Sequence, residues 1–160
     1  MATGADAPAA AGRTRLRIGE RETRIESGPA HWVLPIGTQA VDGGGPLRHE
    51  PPTPLEIERA IEHVEDAVMP LLRQLPPGTQ LQTSDAAARV LHALVREQVA
   101  GAADALSLDD VEHVFNHLAA LSMGRPLASS SWPSHTGLAA YLVILREAMH
   151  HLRFTSITLV

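Results

Sequence analysis

The sequence contains no cysteine, and all 13 of its basic residues are arginine. Without thiolates the chain can form neither disulfides nor cysteine-ligated metal sites, which favours a cytoplasmic protein. Without lysine it cannot build a phosphate loop of the Walker type, because that loop uses a lysine to contact the phosphates. Aromatic residues make up only 3% of the chain, so its core must consist mainly of leucine, valine, isoleucine and alanine.

Long apolar segments are absent as well. No run approaches the roughly 18 apolar residues that are needed to cross a bilayer. Residues 1–12 lack the basic start and the apolar stretch of a signal peptide. The formal net charge of -5 opposes non-specific binding to nucleic acid, which depends on positive charge. We therefore expect a cytoplasmic protein that has neither a nucleic-acid nor a membrane partner.

Length and composition fit one folded domain. The chain has 160 residues, of which 44% are hydrophobic, and this share is sufficient for a core. Residues 1–12 are rich in alanine and glycine. We predict that residues 1–12 form a flexible N-terminal tail and that residues 13–160 form a single domain.

The first structured segment alternates between arginine and smaller or apolar residues. Arg13, Arg15 and Arg17 point to one side of a predicted strand, and the residues between them point to the other. Further strands are predicted over residues 22–27, 31–36, 79–82 and 154–160.

Helix starts are marked by capping residues. Thr53 precedes Pro54 and is followed three residues later by Glu56, which is the pattern of a capping box. Ser107 and Asp110 have the same spacing. Four helices are predicted, over residues 53–73, 84–99, from 107 onwards and over 136–152. Strands that alternate with helices predict an α/β fold with a mixed sheet of four or five strands flanked by helices.

Five segments taken together resemble one protein family. Residues 31–37, His-Trp-Val-Leu-Pro-Ile-Gly, and the Pro-Pro-Thr-Pro helix start at 51–54 are similar to the second domain of the exopolyphosphatase/guanosine pentaphosphate phosphohydrolase (Ppx/GppA) family. Residues 106–111 and 118–122 resemble the later helix pair of that domain. Residues 138–160 are similar to its closing helix and strand.

This resemblance implies one half of an actin-like ATPase fold, which is ribonuclease H-like. In the Ppx/GppA family two related domains enclose a cleft, and glycine-rich loops from both domains hold phosphates. Glycine suits such loops because backbone N–H groups approach phosphate oxygens closely only where no Cβ intervenes. The chain resembles the second domain alone, whereas the first domain supplies the catalytic carboxylate of the family.

The phosphate loops that the resemblance implies are replaced in this sequence. An Asp-x-Gly-Gly-Gly-Ser loop is implied just before Thr14, where residues 7–12 read Ala-Pro-Ala-Ala-Ala-Gly. A Gly-Gly-Thr turn is implied after the fourth strand, where the sequence has Thr83, Ser84 and Asp85. The carboxylate of Asp85 would repel a phosphate. We therefore assign no catalytic or cofactor-binding residue and expect no cofactor.

Two groups of residues remain as candidates for binding. Arg13, Arg15 and Arg17 form a basic strand face that suits an anion or an acidic partner, although such rows also protect exposed sheets from aggregation. His113 and His117 lie four residues apart on one predicted helix, so both could ligate a metal. A solvated helix face is the more common explanation for a lone histidine pair, and we assign no metal site.

Three functions are compatible with these observations. The first is a non-catalytic Ppx/GppA-like domain that binds or regulates through protein association, as a homo-oligomer or with a complementary subunit. The second is a phosphohydrolase half, acting on polyphosphate or nucleotides, that a partner subunit completes. The third is a small-ligand or metal binder that uses the histidine-rich surface.

Overall fold

The computed structural model describes residues 12–97, 104–125, 132–133 and 135–160. The predicted N-terminal tail lies outside these residues except for Gly12, so it stays a prediction. In the described part of the chain, no helix is long and apolar enough to span a membrane.

Three antiparallel strands begin the fold, as the alternation from Arg13 predicts. They are β1 (Arg13–Ile18), β2 (Thr23–Ser27) and β3 (Ala30–Leu34). The two-residue turn between β2 and β3 consists of Gly28 and Pro29, and Gly28 has a φ of 58°. Glycine adopts this left-handed conformation at little cost, and hairpins favour it at the first turn position because it matches the twist of the strands.

The remaining strands extend the sheet on the other side of β1. They are β4 (Gln80–Thr83), β5 (Ala105–Ser107) and β6 (Ser156–Leu159). The order is β3-β2-β1-β4-β6-β5; β1, β4 and β6 run parallel, whereas β5 is antiparallel to β6. The mixed α/β fold is thus confirmed, with a sixth strand in addition. Only three residues form β5, too few to produce a recognisable alternation.

In the part of the chain that the structure describes, four helices connect the strands, close to their predicted positions. They are α1 (Pro54–Val68), which continues into a short 3-10 helix (Met69–Arg73), α2 (Ala86–Arg96), α3 (Leu108–Ser122) and α4 (Leu138–His151). Both capping boxes are confirmed. The Glu56 N–H donates to Thr53 Oγ1 at 3.2 Å, and the Thr53 N–H donates to Glu56 Oε2 at 2.8 Å. Ser107 and Asp110 exchange equivalent hydrogen bonds at 2.9 and 3.0 Å.

Helix α4 differs from its prediction as an amphipathic helix with one buried face. Ten of its 14 side chains are buried, because α4 packs against α1 and α3 as well as against β1. Even the carboxylate of Glu147 is buried within this helix. A helix that is covered on several sides loses the polar stripe by which sequence patterns recognise amphipathic helices.

The two faces of the sheet differ sharply in their surroundings. The connections from β1 to β4 and from β4 to β6 run in the same direction across the sheet, so right-handed crossovers place their helices on one face. Residues pointing to that face belong to one hydrophobic core, among them Leu16, Ile25, Leu81 and Ile157. On the opposite face the strand residues are exposed or half-buried, and no described helix covers them. We call this the open sheet face.

Candidate functional site

The predicted basic row lies on the open sheet face. Arg13, Arg15 and Arg17 are all exposed, whereas the residues between them are buried, so the predicted orientation is confirmed. The strand register places Arg15 beside Glu26 of β2 and Gln82 of β4. One guanidinium nitrogen of Arg15 lies 3.8 Å from Glu26 Oε2, a distance typical of a weak surface ion pair.

The basic charge of this face is only partly neutralised. Arg17 lies directly opposite Arg24 of β2, and like charges in this arrangement repel each other. The Nε–H of Arg24 donates to Glu22 Oε1 at 2.7 Å. Within the described residues, Arg13 and Arg17 form no ion pair. Two guanidinium groups on the open face therefore remain available for an acidic partner.

A carboxylate occupies the end of the sheet where β1 and β4 stop. Asp85, the residue before α2, accepts a hydrogen bond at Oδ2 from the Ile18 N–H at 3.0 Å. The same oxygen accepts a second hydrogen bond, from the Tyr141 hydroxyl on α4, also at 3.0 Å. The Asp85 N–H donates a hydrogen bond to Thr83 Oγ1 at 3.1 Å. This is the place at which the resemblance implies a phosphate turn. The donors that converge there already bind an anion that belongs to the chain itself.

Tyr141 is held in its neutral form at this position. Burial, followed by the negative charge of the Asp85 carboxylate, raises the pKa of Tyr141. A protonated phenol donates a hydrogen bond, whereas a phenolate beside Asp85 would place two negative charges in contact. No sequence signal singled out Tyr141, because its partner Asp85 is 56 residues away along the chain.

The predicted histidine pair does not form the cluster of potential metal ligands that the structure contains. His113 is exposed and His117 is half-buried on α3. In the described part of the chain, the potential ligand atoms that lie together are instead those of Glu65, Glu147 and His151. Glu147 and His151 share the four-residue spacing of the histidine pair, but Glu65 comes from α1. Only the packing of α1 on α4 brings the three side chains together, so the sequence alone did not identify them.

A cleft of about 460 Å³ lies between the segment 38–52 and the start of α4. Its walls include Arg48, His49, Trp132 and His135. The Nδ1 atom of His135 is buried and has no hydrogen-bond partner among the described residues. The cleft contains both polar and aromatic side chains.

The fold has clear counterparts among solved structures. It matches an exopolyphosphatase from Cytophaga hutchinsonii with a TM-score of 0.69 and 15% sequence identity, over 93% of this chain and 53% of that chain. It also matches a Ppx/GppA enzyme of Aquifex aeolicus with a TM-score of 0.64 and 15% identity, over 92% and 52% of the two chains. The chain has the fold of one half of a Ppx/GppA protein.

The likeness to Ppx/GppA proteins is therefore one of structure. No protein-family model matches the sequence, and no curated protein matches it significantly. The chain spans about half the length of the solved structures that it matches. The fold implied by the sequence resemblance is confirmed, and residues 7–11, which replace the first implied phosphate loop, lie outside the described residues.

Proposed function

We propose that this chain is a non-catalytic Ppx/GppA-like domain, located in the cytoplasm, that acts by binding another protein. The observation that carries the proposal is the position of Asp85. Its carboxylate lies at the end of the sheet between β1 and β4. It accepts hydrogen bonds from the Ile18 N–H and the Tyr141 hydroxyl. A phosphate at this place would have to displace a bound carboxylate and would meet its negative charge.

Phosphoryl transfer depends mainly on positioning and on stabilising the charge of the phosphoryl oxygens. Asp85 works against both requirements, because it adds negative charge and uses donors that an anion would need. The chain also has no lysine. These features support binding without turnover.

The open sheet face supports a role in protein association. Sheets with parallel central strands are normally covered on both faces, whereas the described helices cover one face of this sheet. The exposed guanidinium groups of Arg13 and Arg17 can form charge-assisted hydrogen bonds with carboxylates. We propose that an acidic protein surface covers the open sheet face and that Arg13, Arg15 and Arg17 contact it.

A second copy of the chain offers one such acidic surface. Glu58, Glu62 and Asp66 are exposed at four-residue spacing along α1, so they form one stripe on the helix. This stripe belongs to the helical layer, opposite the open sheet face. Contact between the two surfaces would be head-to-tail and would produce a chain or ring of subunits. A complementary subunit with an acidic surface is the alternative occupant.

Catalysis is tested by phosphate release. The purified chain is incubated with Mg²⁺ or Mn²⁺ and with polyphosphate, guanosine pentaphosphate or ATP. We expect no release above that of a buffer control. Turnover that survives further purification and disappears in one residue variant of this chain would overturn the non-catalytic proposal.

Association is tested by sedimentation at several protein and salt concentrations. We expect self-association that weakens with salt and is lost in the triple variant Arg13→Ala, Arg15→Ala, Arg17→Ala. The matched control is Arg73→Ala, Arg96→Ala, Arg125→Ala, which removes the same charge from exposed positions outside both the open sheet face and the acidic stripe. Equal behaviour of the two triple variants would contradict a role for the open sheet face. A monomer at all concentrations would leave the complementary subunit as the only proposed partner.

The remaining two functions are distinguished by specific measurements. A phosphohydrolase half would be inactive alone and would release phosphate only when its partner subunit is added. A small-ligand binder is favoured by the cleft beside α4, and ligand-dependent protection of Trp132 fluorescence from quenching would support it. His113→Ala and His117→Ala variants test the metal-binding form of this alternative.

A further inference from the structure

We propose that Glu65, Glu147 and His151 form a zinc site between α1 and α4. Their ligand atoms all lie within 4.8 Å of one another. His151 Nε2 is 3.0 Å from Glu147 Oε2 and 3.9 Å from Glu65 Oε2. In a tetrahedral zinc site, ligands at about 2.0–2.1 Å from the metal stand about 3.3 Å apart. The three atoms therefore need only small movements to enclose one ion.

The ligand set suits zinc in its chemical type. Zinc accepts imidazole nitrogen and carboxylate oxygen together, whereas magnesium and calcium prefer sites built from oxygen alone. Three protein ligands leave a fourth position for water. That position would face solvent on the side of Glu65, whose side chain is 40% exposed. The side chain of Glu147 is only 3% exposed and would lie on the buried side of the ion.

Neighbouring charges orient the buried ligand and leave a negative excess. Arg146 donates to Glu147 Oε1 at 2.5 Å and to Glu112 Oε1 at 3.0 Å. This arrangement leaves Glu147 Oε2 directed towards His151, as outer hydrogen bonds commonly orient metal ligands. Glu65, Glu112 and Glu147 carry three negative charges against the one positive charge of Arg146. A divalent cation would neutralise the difference of two.

The proton on His151 must move when a metal binds. An ionised carboxylate only accepts hydrogen bonds, so with Glu147 ionised the 3.0 Å contact requires Nε2–H as the donor. Zinc would take the Nε2 lone pair, and the neutral ring would then carry its proton on Nδ1. The site is thus a hydrogen-bonded histidine–carboxylate pair that a metal converts into two ligands.

The test is metal titration of the full chain after treatment with a chelator and dialysis. Isothermal titration with Zn²⁺ measures stoichiometry and affinity, and Co²⁺ gives visible absorption bands that report coordination. We expect one Zn²⁺ per chain, a raised melting temperature, and no competition from excess Mg²⁺. His151→Ala and Glu65→Gln should each weaken Zn²⁺ binding at least tenfold.

Two matched controls lie next to the proposed ligands. His150 and Glu62 are exposed on α4 and α1, so His150→Ala and Glu62→Gln should bind Zn²⁺ as the unmodified chain does. Glu65→Gln alters a side chain at the surface, so the test holds even where His151→Ala fails to fold. The proposal would be overturned if the unmodified chain does not bind Zn²⁺, or if the control variants lose as much Zn²⁺ affinity as the ligand variants. Loss confined to His113→Ala and His117→Ala would also overturn it, since the metal would then lie on α3.

Discussion

The two faces of the sheet are built from the same strands but follow different rules. On the covered face, Leu16 and Ile25 are almost completely buried and pack against the helices. On the open sheet face, the adjacent residues Arg15, Arg17 and Arg24 are exposed to solvent. Alternate residues of one strand therefore have separate roles. The covered face determines the fold, and in the proposed function the open sheet face determines which protein surface binds.

The stability of the fold comes from the covered face and from internal contacts at the end of the sheet. Buried apolar residues stabilise the structure through the area that they remove from water, and this contribution needs no ligand. The Asp85 carboxylate accepts hydrogen bonds from the Ile18 N–H and the Tyr141 hydroxyl, so neither of these two donors is unpaired. Internal contacts therefore occupy the place at which the sequence resemblance implies a phosphate turn.

The largest difference between the faces is expected for neighbouring residues of β1. Leu16→Ala removes a side chain that is 1% exposed, and it should lower the free energy of unfolding by about 2–5 kcal/mol. Arg15→Ala should change it by less than about 0.5 kcal/mol, because surface substitutions rarely cost more. Urea unfolding monitored by circular dichroism measures both. Similar losses for the two variants would show that the open face is covered in solution.

The contact between Asp85 and Tyr141 should have the next largest effect. Tyr141→Phe removes one of the two hydrogen bonds to Asp85 Oδ2. A hydrogen bond to a charged group contributes about 1.5–3 kcal/mol, and we expect a loss of unfolding free energy in this range. Unchanged stability would mean that water replaces the hydroxyl and that the end of the sheet is open.

Tyr141 is the single tyrosine of the chain, so tyrosinate absorbance near 295 nm reports it alone. Burial and Asp85 raise its pKa in the folded chain, whereas an unfolded tyrosine ionises near pH 10. The stabilising effect of the neutral phenol is therefore complete below about pH 10 and lost as the pH rises further. We expect tyrosinate to appear only together with unfolding. Its appearance at pH 10 in a folded chain would contradict the buried contact.

Local signals in the sequence predicted most of the fold. The alternation around Arg15 placed β1, and the capping pairs Thr53–Glu56 and Ser107–Asp110 placed the starts of α1 and α3. Contacts between distant residues were not predictable in this way. The pairing of Asp85 with Tyr141 and of Glu65 with His151 depends on how α4 packs, and a helix buried on several sides has little periodicity to reveal its neighbours.

The capping box of α1 should make a smaller, pH-dependent contribution. Burial works to raise the pKa of Glu56, but hydrogen bonds from the backbone N–H groups of Thr53 and Arg48 outweigh it and lower the pKa to about 2. The ionised form is thus favoured in the folded chain. Its stabilising effect is present above the ordinary pKa of 4.5 and is lost as the pH falls towards 2.

Glu56→Gln tests this contribution at a helix end that belongs to neither face of the sheet. It should lower the unfolding free energy by about 1 kcal/mol at pH 7, as is typical when a helix cap is lost. The variant should also lose stability less steeply than the unmodified chain between pH 4.5 and pH 2. Parallel stability curves for the two proteins over this range would exclude Glu56 as the titrating group.

The smallest effect on stability is expected for the two unpaired arginines of the open sheet face. Arg13→Ala and Arg17→Ala together remove exposed side chains that form no ion pair within the described residues, so the unfolding free energy should change by less than about 0.5 kcal/mol. Removing Arg17 also removes its repulsion with Arg24 across the strands. We therefore expect the small change in unfolding free energy to be an increase. Binding of an acidic polypeptide such as polyglutamate should nevertheless weaken. Its dependence on salt should become shallower, because fewer charged contacts remain for salt to screen. The control Arg59→Ala, Arg73→Ala removes the same charge from the helical layer and should leave binding unchanged. A loss of stability without a loss of binding would reverse the roles assigned to the two faces, since the arginines would then hold the fold together rather than contact a partner.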